Sequence, residues 1–251
     1  MFKAGPGVGS TRTDRALLLA IFLLSGSSGL IYQVVWSRSL VLIFGSTTHA
    51  ISTVLAAFMG GLALGSILVG RRGDRFKDPL KVYAIIEAAI AVLALAVLLI
   101  LPALIPIYRL AWQSAGATPA VLNMLRFLLA CLVLLPPTTL MGATLPILSA
   151  HLERRGRATG YHAAGSGAGA LYAANTVGAV AGAAITGFLL LPALGMFLSA
   201  VVAAAANLIA AAAAWRLATR TASHQAMPAS DAATVQPAPT GVRKCAVPFT
   251  G

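Results

Sequence analysis

The chain has 251 residues, of which 59% are hydrophobic and 10% charged, with a mean hydropathy of +0.88. That balance lies outside the range of soluble globular domains, so most of the polypeptide needs lipid around it. The formal charge of +12 does not read as nucleic-acid binding, because Lys and Arg fall in short clusters between long apolar runs instead of along one face.

A spanning helix needs about 20 mostly apolar residues, since it rises about 1.5 Å per residue across a hydrocarbon core about 30 Å thick. Six runs qualify: 16–35, 48–69, 82–105, 120–148, 168–191 and 194–217. Period-two alternation is missing from them, which selects helices over a barrel. The fold class expected is therefore all-α, a polytopic membrane bundle of about six transmembrane helices. It divides into a cytoplasmic segment 1–15, a transmembrane domain 16–217 and a disordered cytoplasmic tail 218–251.

The first run follows Lys3, Arg12 and Arg15 and ends in small residues from Ser25 to Gly29, so it shares features with a secretory leader. Apolar sequence resumes at Leu30 and Ile31, which suits a retained helix with a Gly/Ser packing face. In the second run Ala57, Gly61 and Gly65 recur every four residues. Such a small-residue stripe lets helix backbones approach closely.

The third run holds Glu87, the one acid placed inside a span; Asp14, Asp74, Asp78, Glu153 and Asp231 fall in the segments between or beyond them. Six residues past Lys81, Glu87 lies about 9 Å along the helix. An intramembrane carboxyl is a functional-site candidate, able to bind a cation or carry a proton. Pairing with a nearby Lys or a backbone donor is the structural alternative.

The fourth run contains Pro136, Pro137 and Pro146. Each proline removes a backbone donor and forces a kink or break, and Thr138, Thr139 and Thr144 are the nearest hydroxyls for the freed carbonyls. Interrupted helices of this kind line substrate or ion sites in many transporters; a kinked structural helix is the alternative. The fifth run carries the longest stripe, Ala170, Ala174, Gly178, Gly182 and Thr186. Both stripes read as packing seams, and smooth seams also let helices slide or rock. Asn175 and Asn207 are placed to hydrogen-bond across helices. The link Pro192-Ala193-Leu194 is so short that the fifth and sixth helices are expected to form a tight antiparallel hairpin. Beyond it, 218–251 turns rich in Ala, Pro, Ser and Thr, which bury too little surface to offset ordering.

Assigning the loops alternately separates the basic residues. Lys3, Arg12, Arg15, Arg71, Arg72, Arg75, Lys77, Lys81, Arg154, Arg155, Arg157, Arg216, Arg220, Arg243 and Lys244 lie on one side, and Arg38, Arg109 and Arg126 on the other. The populated side is read as cytoplasmic, which places both termini inside a bacterial plasma membrane. Trp36, Tyr108 and Trp112 fall by the opposite boundary, where aromatic rings favour the headgroup level.

For catalysis the sequence offers little. His49, His151, His162 and His224 are scattered, and Cys131 and Cys245 have no metal spacing. No catalytic residue, metal ligand or cofactor is assigned, and nucleic acid is not expected as a partner. The 34 residues after Leu217 are too few for a nucleotide-binding domain, and Gly165-Ser166-Gly167-Ala168-Gly169 follows no strand.

The segment Gly70-Arg71-Arg72-Gly73-Asp74-Arg75 resembles the cytoplasmic loop signature of the major facilitator superfamily. The resemblance implies a gating role for Gly70, Asp74 and Arg75. More specific are Ser25-Gly26-Ser27-Ser28-Gly29-Leu30-Ile31-Tyr32-Gln33-Val34-Val35-Trp36-Ser37-Arg38, Pro137-Thr138-Thr139-Leu140-Met141-Gly142-Ala143-Thr144-Leu145-Pro146 and Leu171-Tyr172-Ala173-Ala174-Asn175-Thr176-Val177-Gly178-Ala179. Together these resemble, over about Arg15 to Leu217 and in order, the membrane region of bacterial spermidine synthase-like proteins, in which a facilitator-like helical domain is fused to a polyamine aminopropyltransferase-like domain. The resemblance implies that aminopropyl-transfer chemistry belongs to that soluble domain, for which no Gly-rich loop or carboxylate set exists here.

Two functions are consistent with this reading. The chain is either a membrane anchor or partner for an aminopropyltransferase-like enzyme, or a transporter of a small solute such as a polyamine. The transporter would use Tyr32, Gln33, Glu87, Thr138, Thr139 and Asn175 as pocket residues, and six helices would have to dimerise to enclose a path.

Overall fold

In the computed structural model the described residues are 8–45, 48–71, 76–113, 118–159 and 164–225, and the regular structure among them is helical. The helices are α1 (Val8–Phe44), α2 (Thr48–Gly70), α3 (Pro79–Ile100), α4 (Leu104–Gln113), α5 (Pro119–Thr159), α6 (Ala164–Ile185) and α7 (Leu191–Gln225). A 3-10 turn, Leu101–Ala103, leads from α3 into α4, and a π turn, Thr186–Leu190, leads from α6 into α7.

Five helical stretches are long and apolar enough to cross a membrane, and the last, Gly167–Arg220, has 54 residues. At about 1.5 Å per residue that is roughly 80 Å, more than two core thicknesses. It is divided at Gly195, whose φ of 73° and ψ of −176° only glycine adopts readily. Counting both halves, the crossings number six, as hydropathy indicates. Their outer surfaces expose Leu42, Leu99, Leu132, Val180 and Phe188, which hydrocarbon rather than water solvates well.

The turn between the last two crossings sits at Gly195, and Pro192, Ala193 and Leu194 are still helical. The π turn that bonds the Leu191 N–H to the Thr186 carbonyl widens the helix just before Pro192, where a ring would otherwise meet the preceding turn. Nor do α6 and α7 form a tightly packed hairpin: they scarcely touch, and α1 lies against both. α5 runs unbroken through its three prolines. The Thr138 hydroxyl bonds the Leu134 carbonyl at 2.6 Å and that of Thr144 bonds Met141 at 2.7 Å. These are not the carbonyls that Pro136, Pro137 and Pro146 release, because a threonine reaches back only three or four residues. Trp36 is fully buried against Tyr32 and Phe58 instead of lying at the headgroups, since α1 continues to Phe44 and carries the boundary with it. The last helix extends past Leu217 to Gln225, and the rest of the expected tail lies outside the described residues.

The packing has an internal two-fold pattern. α2 lies along α5 as α1 lies along α6; α7 touches α1 as α3 touches α5; and α3 meets α7 at the centre. Exchanging the first three crossings with the last three leaves this scheme unchanged. The register repeats as well. A Cβ at Gly142 would collide with the Leu62 carbonyl, and one at Gly26 with that of Asn175; likewise Gly65 abuts the Thr139 carbonyl and Gly178 that of Leu23. In each half the first glycine lies three residues past the carbonyl that meets the partner's glycine, and that partner glycine lies three past the other carbonyl. Three crossings reverse the direction of entry, so the two halves form an inverted repeat. The two small-residue stripes are the seams that join one half to the other.

Apolar side chains collect in two clusters. One holds Tyr32, Trp36, Phe58, Ile90, Leu134 and Ala203. The other holds Phe22, Leu80, Tyr83, Ile147, Leu171 and Ala210. Between them, along four helices, the sequence positions turn polar.

Candidate functional site: a polar layer between two apolar clusters

The layer follows from helical spacing. On α1, Ser25, Ser28, Tyr32 and Trp36 fall at steps of three, four and four, one inward-facing row. On α3, Tyr83 and Glu87 are one turn apart. α7 supplies Asn207 between Ala203 and Ala210, and α5 supplies Thr138 between Leu134 and Ala143. Ser28, Glu87, Thr138 and Asn207 are all buried.

Glu87 is the centre. The Ser25 hydroxyl donates to its Oε1 at 2.5 Å, and the Asn207 amide Nδ2 donates to its Oε2 at 2.6 Å. Ser28 holds the local shape of α1 by donating to the Ser25 carbonyl at 2.9 Å. Two ion pairs, Lys81 with Asp78 and Arg155 with Asp14, lie away from this layer. Of the two structural explanations open for Glu87, neither a lysine nor a backbone donor accounts for these contacts. A buried carboxylate without a cation costs several kcal/mol, about as much as two charge-assisted hydrogen bonds return.

Beside Glu87, Tyr32 Oη and Asn207 Oδ1 are buried without a hydrogen-bond partner, and Tyr83 Oη stands at the edge of hydrogen-bonding range of the Glu87 carboxyl. The two tyrosines lie within electrostatic reach of the Glu87 carboxyl, Tyr32 from one apolar cluster and Tyr83 from the other. Buried polar groups are nearly always satisfied, so the two unpaired ones beside the carboxyl need an explanation.

Of the six residues proposed as a pocket, Tyr32 and Glu87 come together. Gln33 is half-buried next to Tyr32 on α1. Thr138 and Thr139 sit on the α2–α5 seam against Gly61 and Gly65, and Asn175 sits on the α1–α6 seam against Gly26. Ser25 and Tyr83, which complete the surroundings of Glu87, are not among those six, and the sequence points to Asn207 only as a link between helices. Their signal was present: Ser25 stands two turns before Tyr32, and Tyr83 one turn before Glu87. Of the loop residues, Gly70 closes α2 and is exposed, while Asp74 and Arg75 lie outside the described residues.

The two ends of the bundle differ. At one, Arg155 pairs with Asp14 at 2.7 Å, and Arg154 donates to the Phe76 and Lys77 carbonyls. At the other, the Arg126 guanidinium donates to Tyr108 Oη and Asn123 Oδ1 and lies 5.3 Å from the Tyr108 ring centre. A cleft of about 320 Å³ opens there between Leu42, Ile43, Ile105, Tyr108, Arg109 and Trp112. It does not reach Glu87.

The chain is similar to polyamine aminopropyltransferases. It is 32% identical over 215 residues to those of Mycobacterium tuberculosis and Mycobacterium bovis, and 27% identical over 202 residues to that of Corynebacterium efficiens. The matches take in 83% and 80% of this chain but 37% and 35% of the relatives, so the chain spans little more than a third of their length. No protein-family model matches the chain, and no solved structure matches it.

Proposed function

We propose that this chain is the membrane-embedded module of a polyamine aminopropyltransferase-like protein, holding an aminopropyl-transferring partner or portion at the cytoplasmic face of a bacterial inner membrane. The observation that carries this reading is the coverage: four fifths of the chain matches these relatives, a share that must take in most of the helices, while the chain spans little more than a third of each relative. A reading frame for the remaining part is expected at the same locus, separate or continuing. Co-expressed with this chain, its product should sediment with membranes, resist high salt and be released by detergent. A product that stays in the soluble fraction whether or not the chain is present would overturn the anchor.

This reading puts both termini in the cytoplasm, and it is supported by the basic residues Arg154, Arg155, Lys77 and Lys81 gathered at one end of the bundle. With Cys131 and Cys245 replaced by serine, Lys77→Cys should be shielded from an impermeant thiol reagent in intact cells and Gln113→Cys labelled. The opposite pattern inverts the topology.

Transport of a small solute by a dimer is a second reading, favoured by the inverted repeat and by the presence of a buried acid at mid-bundle. Uptake into proteoliposomes that Glu87→Gln leaves unchanged removes the residue from any such path.

A further inference from the structure

We propose that Glu87 is a proton-exchange site, whose carboxyl takes up and releases one proton inside the bundle with Ser25 and Asn207 adapting to either state. The proposal stands independently of anchoring and of solute transport.

Three observations carry it. First, both carboxyl oxygens are occupied, by Ser25 at 2.5 Å and Asn207 at 2.6 Å, and the cleft described above stops short of them. The apolar clusters close the layer from both ends. A hydrated metal ion or an organic ammonium needs room at this point; a proton needs none. Second, the groups around the carboxyl are neutral and can each donate or accept. The titratable groups that face it are Tyr32 from α1 and Tyr83 from α3, and α7 presents the Asn207 amide. With the carboxylate charged, Ser25 O–H and Asn207 N–H donate to it. Third, Asn207 Oδ1 is buried and unpartnered, which supplies an acceptor for the alternative state. When a hydronium ion gives its proton to Oε2 and leaves as water, the amide turns over and Oδ1 accepts the new O–H. Release reverses both events, and no other bond is made or broken. Tyr32 Oη, which is unpartnered, and Tyr83 Oη, which stands beside the carboxyl, come from opposite apolar clusters and are hydroxyls through which the proton can enter and leave.

The test is pH-difference infrared spectroscopy of the full chain in liposomes. The wild type should show the carbonyl stretch of a neutral carboxylic acid that titrates reversibly and shifts in D2O, and the band should vanish in Glu87→Gln while helical circular dichroism is retained. Should that variant fail to fold, Ser25→Ala provides the second reading: it should move the midpoint by about one pH unit, the equivalent of one hydrogen bond to a charged group. A contact that only packs helices would leave the midpoint in place. A band missing at every pH, or persisting in Glu87→Gln, overturns the proposal. So does a band that Na+ removes at constant pH when choline does not, which would make the site one for a metal ion.

Discussion

Gly26 of α1 lies so close to the backbone carbonyl of Asn175 on α6 that a single added carbon would collide with it. Backbone cannot swing aside as the end of a long side chain can, so Gly26→Ala must push two helices apart. In the other half Gly142→Ala meets the Leu62 carbonyl in the same way. Each should lower stability by about 1–3 kcal/mol, the usual range for overpacking, and the two should be alike because the register is alike. Gly60→Ala and Gly187→Ala, where nothing stands within 4 Å, should be neutral. Thermal unfolding in detergent, followed by circular dichroism, checks the set; equal effects at Gly26 and Gly60 would refute the seam.

The crossings themselves were legible in the sequence because length and hydropathy set them, and lipid leaves the backbone no alternative but to bond within each helix. The stripes at Ala57, Gly61 and Gly65 and at Gly178 and Gly182 marked the seams, yet not which helix each seam meets. Partner choice depends on three-dimensional fit, and the inverted repeat shows only when the glycines are paired with carbonyls on other helices. Glu87 stood out as the lone acid in a span. Its partners did not, because Ser25 is 62 residues away and Asn207 is 120 away, and an isolated Ser or Asn in an apolar run carries no sign of what it faces. The prolines of α5 misled for a related reason: a long, well-packed helix can absorb them without unwinding.

Removing one partner of Glu87 should be worse than removing the whole polar pair. Asn207→Ala leaves Oε2 buried without its donor, which should destabilise the chain by about 1–3 kcal/mol. Glu87→Leu combined with Asn207→Leu replaces the pair with apolar side chains of similar size, a change that is often neutral or stabilising. The comparison is made by chemical denaturation in mixed micelles. A double variant no more stable than Asn207→Ala would show that the bond between the two side chains holds α3 to α7 in a way that packing does not replace.

Arg154 ties the connection between α2 and α3 to α5 through the Phe76 and Lys77 carbonyls. A methionine there keeps most of the aliphatic stem and loses the donors. Arg154→Met should release the connection, raising the rate of tryptic cleavage at Lys77 several-fold while global stability falls by about 1 kcal/mol, the typical net worth of such bonds. Cleavage unchanged from wild type would mean that other contacts hold the segment.

At the opposite end, Tyr108 makes contacts that substitution can separate. Its hydroxyl accepts from Arg126 Nε at 2.9 Å and from Nη2, its ring lies under the same guanidinium at 5.3 Å, and its edge meets Phe44 of α1 with centroids 5.4 Å apart. Tyr108→Phe removes only the acceptor, and should cost about 1 kcal/mol or somewhat more, since the donor is charged. Tyr108→Leu also removes the cation–π contact and the aromatic pair, each worth about 0.5–1.5 kcal/mol, so its effect should be about two to four times as large. Arg126→Met should cost about as much as Tyr108→Leu in the wild type, and much less once Tyr108 is already leucine, because the two changes remove shared interactions. Unfolding midpoints of the four proteins complete the cycle. If the two substitutions prove additive, α4 is held to the bundle by apolar packing alone, and the guanidinium, with Asn123 as its remaining partner, is merely solvated at the membrane edge.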